Sequence, residues 1–286
     1  MSNTDNKYSQ ITKISSRHKW YDLKLNEVWK YRDLIVLFTK RNFVVTYKQT
    51  ILGPAWLFIN PLLTSVMHAI VFGGIAGLST DGVPQLLFYL TSNAIWILFS
   101  NCVISNASTF TANAAVFGKV YFPRLTISLS NVLVSIIKFL IQMSMVLALL
   151  FYYVFCGSVY PHWLNLLLIP VILIQLGIMG LGIGIIISSM TTKYRDLSIL
   201  VGFGMQLWMY GSPIVYPLST IGEGRLRSLI LMNPVTAPVE AFRYAVLGQG
   251  TILPQQMLYS WIFTIVVAIV GIIVFNRVER TFMDTV

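Results

Sequence analysis

Side chains that could carry acid–base chemistry are scarce in the apolar part of this chain. His68 and Lys138 are the only His, Lys, Arg, Asp or Glu residues inside its long apolar runs, and all ten Asp and Glu residues lie outside them. General acid–base catalysis needs titratable groups gathered at one site, and ion-coupled carriers use carboxylates or histidines within the membrane. The sequence therefore disfavours both a membrane enzyme and a proton- or sodium-coupled carrier.

Signature motifs of catalytic and nucleotide-binding sites are absent from the sequence. It contains no HExxH and no GxSxG, and Gly118-Lys119 lacks the earlier glycine and the following Ser or Thr of a phosphate-binding loop. Cys102 and Cys156 form no metal-binding spacing. We expect this chain to bind no metal or cofactor. If ATP drives the protein, ATP and Mg bind to another chain.

The elements that position these few polar groups are predicted to be membrane-spanning helices. The 286-residue chain is 56% hydrophobic and only 10% charged, against about 25% charged residues in a soluble domain. Apolar runs of about 20 residues cross a hydrocarbon layer of about 30 Å. Runs of this length are predicted at 54–76, 86–110, 126–152, 163–188, 198–218 and 257–275.

The distribution of basic residues predicts the orientation of these six spans. With the N-terminus inside, the inner segments 1–53, 111–125, 189–197 and 276–286 carry sixteen Lys and Arg residues, whereas the outer loops carry three. Basic residues concentrate on the cytoplasmic side of membrane proteins. We therefore expect both termini to be cytoplasmic.

Two segments outside the spans combine apolar residues with basic or helix-breaking residues. Residues 29–53 combine aromatic, aliphatic and basic residues, which is typical of an amphipathic helix at the membrane surface. Residues 219–256 are moderately apolar but are interrupted by proline and glycine, which favours short helices dipping into the outer leaflet.

The predicted fold is an all-α polytopic membrane protein with an N-terminal interfacial helix, six transmembrane helices and short re-entrant outer-leaflet helices between spans five and six. Its predicted divisions are a cytoplasmic tail (1–28), the interfacial helix (29–53), the transmembrane domain (54–275) and a second cytoplasmic tail (276–286).

Several side chains within the spans each allow two interpretations. Tyr89, Asn93 and Trp96, bordered by Phe99, form one helical stripe, which could line a channel for a sugar polymer or serve helix packing. Lys138, with Gln142 one turn later, either extends to the inner surface or faces a pore. Small residues spaced as GxxxG, Gly180 and Gly184 among them, favour close helix packing within the subunit or a dimer contact.

Ordered motifs connect these elements into a recognisable pattern. The segment 47–61 reads YKQTILGPAWLFINP, residues 193–197 read KYRDL, and residues 212–217 read SPIVYP; Asn233-Pro234 and Glu240-Ala241-Phe242-Arg243 follow. In this order, with six spans between them, the motifs closely resemble the type-2 ABC exporter permeases of bacterial polysaccharides. This family includes the export permeases of O-antigen, capsule and teichoic acid, and the resemblance runs from about residue 30 to the C-terminus.

The resemblance implies a permease of the bacterial inner membrane that works as a homodimer with two copies of a separate ABC ATPase. Its cargo would be a lipid-linked polysaccharide, most simply O-antigen for lipopolysaccharide biosynthesis, which crosses through a channel at the subunit interface. The protein itself would be a transporter subunit rather than an enzyme.

The resemblance and the residue types together assign three groups of site residues. The residues expected to face the ATPase are Tyr194, Arg195, Asp196, Lys119 and Arg124. The residues expected to line the channel are Tyr89, Asn93, Trp96 and Phe99. The structural or gating residues are Gly53 and Pro54 at the turn into the first span, Trp56, Pro213, Pro217, and the i, i+3 pair Glu240 and Arg243.

Two alternative functions stay open from the sequence. A permease of the same architecture could expel small amphiphiles or drugs from a closed apolar pocket. A membrane glycosyl- or acyltransferase is the third interpretation, against which the missing acid–base cluster argues.

Overall fold

The computed structural model describes residues 25–285 except 118, 121, 162, 193 and 195, and this part of the chain is all-helical. Its α-helices are α1 (Leu25–Lys30), α2 (Arg32–Tyr47), α3 (Trp56–His68), α4 (Gln85–Ala107), α5 (Thr109–Phe117), α6 (Leu125–Phe155), α7 (Leu168–Thr191), α8 (Leu197–Tyr210), α9 (Arg225–Met232), α10 (Thr236–Leu247) and α11 (Pro254–Thr285). Short 3₁₀ segments cover Gly53–Ala55, Trp163–Leu167 and Leu218–Thr220, and a π-helical stretch, Ala69–Ile75, extends α3.

Five helical stretches among the described residues are long and apolar enough to cross a membrane. They are Gly53–Ile75, Gln85–Ala107, Leu125–Phe155, Trp163–Thr191 and Pro254–Val278. At about 1.5 Å per residue, even the 23-residue stretches exceed 30 Å. They coincide with the predicted spans one, two, three, four and six, and the chain is a multi-pass membrane protein.

The regular helix in the predicted fifth span is shorter than expected. Its helix, α8, has only 14 residues, or about 21 Å, and residues 211–217 continue it without regular helix. Pro213 disfavours a helical conformation at Ser212 and, like Pro217, removes a backbone N–H from the chain. Mean apolarity over 198–218 predicted a span, but the proline and glycine residues at its end stop the helix early.

The core of the fold is built around α4. In its most apolar stretch 78% of the residues are buried, against 22% for Gly53–Ile75 and 22% for α11. Helices α6 and α7 pack against α4, and α11 packs against α7. The predominantly exposed α3 and α11 are therefore peripheral, while α4 is enclosed by protein.

Glycines of α7 explain how closely these helices approach. A Cβ atom added at Gly180 would lie 2.6 Å from Cys102 Cβ, and one added at Gly184 would lie 2.5 Å from Asn106 Cβ, both on α4. On the opposite face, a Cβ at Gly182 would lie 2.9 Å from the backbone nitrogen of Ala268 in α11. The GxxxG spacing therefore serves helix packing within the subunit, which confirms one of its two interpretations.

Aromatic residues hold the other helices together at one end of the bundle. Phe110 stacks on Phe275 with ring centroids 4.5 Å apart, and Phe38 of α2 lies 5.5 Å from Phe122. Phe117 lies 5.8 Å from Phe122. We call these five rings the phenylalanine cluster; they connect α2, α5, the approach to α6, and α11.

Two short helices, α9 and α10, occupy the stretch between α8 and α11 where short helices were predicted. The α10 helix is almost wholly buried and packs against α4 and α7. It ends at Gly248, whose φ of 72° is the left-handed conformation that glycine adopts readily. Insertion of these helices into the bilayer stays a prediction.

Candidate functional site

The α10 helix carries a buried ion pair. Arg243 Nη1 donates to Glu240 Oε1 at 2.8 Å, and each side chain is 1% exposed. The i, i+3 spacing predicted that these two residues pair. Burying a charge is costly unless it is paired and hydrogen-bonded, so the remaining donors and acceptors of the pair require partners.

Arg243 Nη2 finds partners outside its own helix, whereas Nε has no hydrogen-bond partner among the described residues. Its Nη2 donates to the carbonyl oxygen of Pro213 and to Ser92 Oγ at 3.3 Å. Its guanidinium lies over the ring of Phe88, 4.4 Å from the ring centroid. Arg243 thus connects α10 with α4 and with the segment that follows α8.

Glu240 accepts hydrogen bonds from two further segments. The backbone N–H of Leu218 donates to Oε1 at 3.4 Å, and that of Thr251 donates to Oε2 at 3.2 Å. Gly250 allows the second contact, because its φ is 130° and a Cβ there would lie 3.1 Å from the Glu240 carbonyl oxygen. We call Glu240, Arg243 and these partners the charged junction. Every contact described for the pair is internal, so the geometry supports a structural role.

The polar stripe of α4 lies inside the subunit. Tyr89, Asn93, Trp96 and Phe99 are all at most 5% exposed. Trp96 lies 5.6 Å from Phe99, which lies 5.3 Å from Trp208 of α8, and Asn93 donates to Ser65 of α3 at 3.1 Å. Of the two interpretations given to this stripe, helix packing fits the single subunit; channel lining stays a prediction.

The loops expected to face an ATPase lie at the same end of the bundle. Thr191 Oγ1 at the end of α7 donates to the carbonyl oxygen of Ala107 at 3.0 Å, and the N–H of Phe110 donates to Ser188 Oγ at 3.2 Å. These bonds bring the ends of α4 and α7 together. The end of α7, from which its loop leaves, therefore lies against the start of α5.

Individual residues of these loops differ in exposure. Tyr194 is 54% exposed, and Asp196 and Lys119 are exposed. Arg124 is only 8% exposed, with its guanidinium 5.2 Å from the centroid of the Phe117 ring. Arg195 lies outside the described residues. Asp196 precedes α8 directly, so a force on that loop would act on α8.

The segment that leads into the first span contains a glycine in the left-handed conformation, followed by a proline. Gly53 has a φ of 51°, a Cβ added to it would have no neighbouring atom within 4 Å, and Pro54 follows at the first turn of the helix. A positive φ favours glycine, and proline is tolerated where no helical hydrogen bond is lost. Trp56, at the start of α3, is 38% exposed.

A cleft that sequence reasoning missed opens beside this turn. We call it the lysine cleft; it has a volume of about 390 Å³ and its lining includes Tyr47, Trp56, Asn60, Asn101, Lys138 and Gln142. Lys138 Nζ lies 5.7 Å from the centroid of the Tyr47 ring. Burial raises the pKa of Tyr47, which keeps the phenol neutral. The shared face of Lys138 and Gln142 was visible in the sequence, but their neighbours on α2, α3 and α4 were not.

Comparisons with known proteins agree with this architecture. A family model described as ABC-2 type transporter matches residues 33–247. That range includes most of α2, the loops after α5 and α7, and the ion pair of α10.

Curated relatives resemble the chain over most of its length. An O-antigen export system permease protein RfbA of Klebsiella pneumoniae is 29% identical over 252 residues, which cover 88% of this chain and 94% of that protein. A protein of the same description from Myxococcus xanthus is 28% identical over 221 residues, covering 77% of this chain and 82% of that protein.

Proposed function

The chain belongs to the ABC-2 type transporter family, and on that premise we propose that it moves lipid-linked polysaccharide, O-antigen in the first instance, across the bacterial inner membrane. The observation that carries the proposal is its similarity to O-antigen export permeases over most of both chains. The family and these relatives make the chain a transporter permease rather than an enzyme.

An ABC ATPase is the partner that this family implies. The sequence supports it from a second direction, because all Asp and Glu residues lie outside the membrane-spanning stretches and no phosphate-binding loop is present. The driving force must then come from another chain. We propose two ATPase copies, with ATP and Mg bound there.

The ATPase contacts are proposed for the loops after α5 and after α7. Asp196 and Tyr194 on one loop and Lys119 on the other are exposed, and the hydrogen bonds of Thr191 and Phe110 hold the end of α7 against the end of α4 and the start of α5. Arg195, next to Asp196, belongs to the same proposal. Arg124 is a weaker candidate because it packs on Phe117.

A homodimer with a channel between the subunits is proposed from the family resemblance. One face of α8 is not covered by the other described helices of the subunit. Its exposed apolar residues include Ile199, Leu200, Phe203 and Leu207. A Cβ at Gly202 or Gly204 would meet no atom within 4 Å, so another helix has room to approach α8 there. The channel-lining role of Tyr89, Asn93, Trp96 and Phe99 requires that subunit movement exposes them.

The proposed orientation places both termini in the cytoplasm. Sixteen basic residues on the inner segments against three on the outer ones support it. The charged junction then lies on the outer side, where α9 and α10 would border the channel exit.

Deletion of the gene tests the proposal. We expect surface polysaccharide, detected by glycan staining of whole cells, to be lost and to return when the intact gene is supplied. Normal surface polymer in the deletion strain would refute export of that polymer. Altered drug sensitivity with normal polymer would instead indicate efflux of small amphiphiles.

A further inference from the structure

The lysine cleft has the size and the position of a ligand site. Its volume of about 390 Å³ falls within the range of about 300–1,000 Å³ that is typical of small-molecule pockets. Its walls come from the end of α2, the start of α3, and the middle of α4 and α6. The surface helix meets the first span at this point, so an occupant would lie at the boundary between head groups and hydrocarbon.

The charge of the cleft favours an anionic occupant. Lys138 is half-buried and forms no ion pair with any described residue. Its nearest aromatic partner is the neutral ring of Tyr47 at 5.7 Å. Intramembrane cations are expensive unless they are paired, and phosphate oxygens are a ligand that lysine binds as a point charge.

A second, independent group in the cleft also lacks a partner. Gln142 is 4% exposed, and its Oε1 accepts no hydrogen bond from any described residue. A buried acceptor without a donor is costly, and here the missing donor can come from a ligand hydroxyl. Asn60 of α3 and Asn101 of α4 add amide groups to the lining of the cleft, and the indole of Trp56 adds a flat apolar face.

We propose that the lysine cleft binds the phosphate of a lipid head group, with Lys138 on the phosphate oxygens and Gln142 on a neighbouring hydroxyl. Two lipids supply this chemistry: the polyprenyl phosphate carrier of the cargo, and an anionic glycerophospholipid of the bilayer. The first source rests on the proposed function, whereas the second does not.

Native mass spectrometry of the full-length chain in detergent tests the proposal. The probes are undecaprenyl phosphate, dioleoylphosphatidylglycerol and, as a zwitterionic reference, dioleoylphosphatidylcholine. We expect Lys138→Gln to weaken binding of an anionic lipid by about tenfold, as expected for the loss of one charge-assisted hydrogen bond. Lys138→Arg should retain binding, and Gln142→Leu should weaken it without lowering the melting temperature.

Lys40→Gln is the matched control, because Lys40 is an exposed lysine of α2 outside the cleft. Lys138-dependent binding of undecaprenyl phosphate alone would assign the site to the carrier, and equal dependence for phosphatidylglycerol would assign it to bilayer lipid. Binding that is unchanged in Lys138→Gln for both lipids would overturn the proposal. Surface polymer in the deletion strain separates the two hypotheses: its persistence contradicts the export function but leaves a measured lipid site intact.

Discussion

Arg243 shows how this protein accommodates a buried charge. Its guanidinium has a carboxylate, a hydroxyl, a backbone carbonyl and an aromatic face around it. The same residue therefore joins three segments that are distant in sequence. Truncating it would leave the Glu240 carboxylate buried without its cation.

We expect Arg243→Met to lower the free energy of unfolding by about 3–5 kcal/mol, the usual cost of removing one partner from a buried ion pair. Thermal unfolding in detergent, followed by gel filtration after heating, measures the effect. Arg225→Met, at an exposed arginine on α9, is the control and should change little. The double variant Glu240→Gln with Arg243→Met should recover part of the loss; equal melting of Arg243→Met and wild type would contradict the role of the charged junction.

At this scale the sequence predicted the pair but not its surroundings. The i, i+3 spacing on one helix is a local property, so it brought Glu240 and Arg243 together. Ser92 lies 151 residues from Arg243, and only the packing of α10 against α4 makes that contact. The lysine cleft was missed for the same reason, because its walls come from four helices.

Among the helices, close packing of α7 against α4 depends on glycine. We expect Gly184→Val to destabilise the protein by about 1–3 kcal/mol through overpacking, because even a Cβ there would lie 2.5 Å from Asn106 Cβ. Gly222→Ala, in the segment before α9, is the control, since a Cβ there meets no atom within 4 Å. Melting temperatures in detergent measure both, and a Gly184→Val protein as stable as Gly222→Ala would contradict this packing.

The loop before α8 is the element on which the ATPase is proposed to act. We expect Asp196→Arg to leave dimer assembly intact while uncoupling ATP hydrolysis from export, because the substitution reverses the charge of an exposed contact. ATPase activity and surface polymer are measured on the same strain. Glu223→Arg is the control, because it reverses the charge of an exposed residue in the predicted outer stretch between α8 and α9. It should leave ATPase activity and surface polymer unchanged. Unchanged export in Asp196→Arg would remove the coupling assignment.

The length of the apolar runs predicted five of the membrane helices, because a helix must be long enough to cross the hydrocarbon layer. It did not predict that the helix of the fifth predicted span stops at Tyr210 and that residues 211–217 are not helical. The mean hydropathy of a segment contains no information about whether a proline ends its helix. The two short helices α9 and α10 were predicted from such breaks, whereas the burial of α10 depends on contacts that hydropathy does not contain.

For the whole molecule, orientation can be measured on the native cysteines. Cys156 is exposed after α6, and Cys102 is buried in α4. With the N-terminus inside, a membrane-impermeant maleimide should label Cys156 in spheroplasts and leave Cys102 unmodified. Cys156→Ser is the control and should abolish labelling. Labelling of Cys156 only in inside-out vesicles would reverse the proposed topology.

The source of the driving force for transport is the central claim about the whole molecule. Liposomes containing the purified chain, with or without its ABC ATPase, can be loaded with lipid-linked glycan, and its appearance on the opposite leaflet can be followed by an added glycosidase. We predict translocation only when the ATPase and ATP are both present. Movement or chemical alteration of the glycan by this chain alone would contradict that claim.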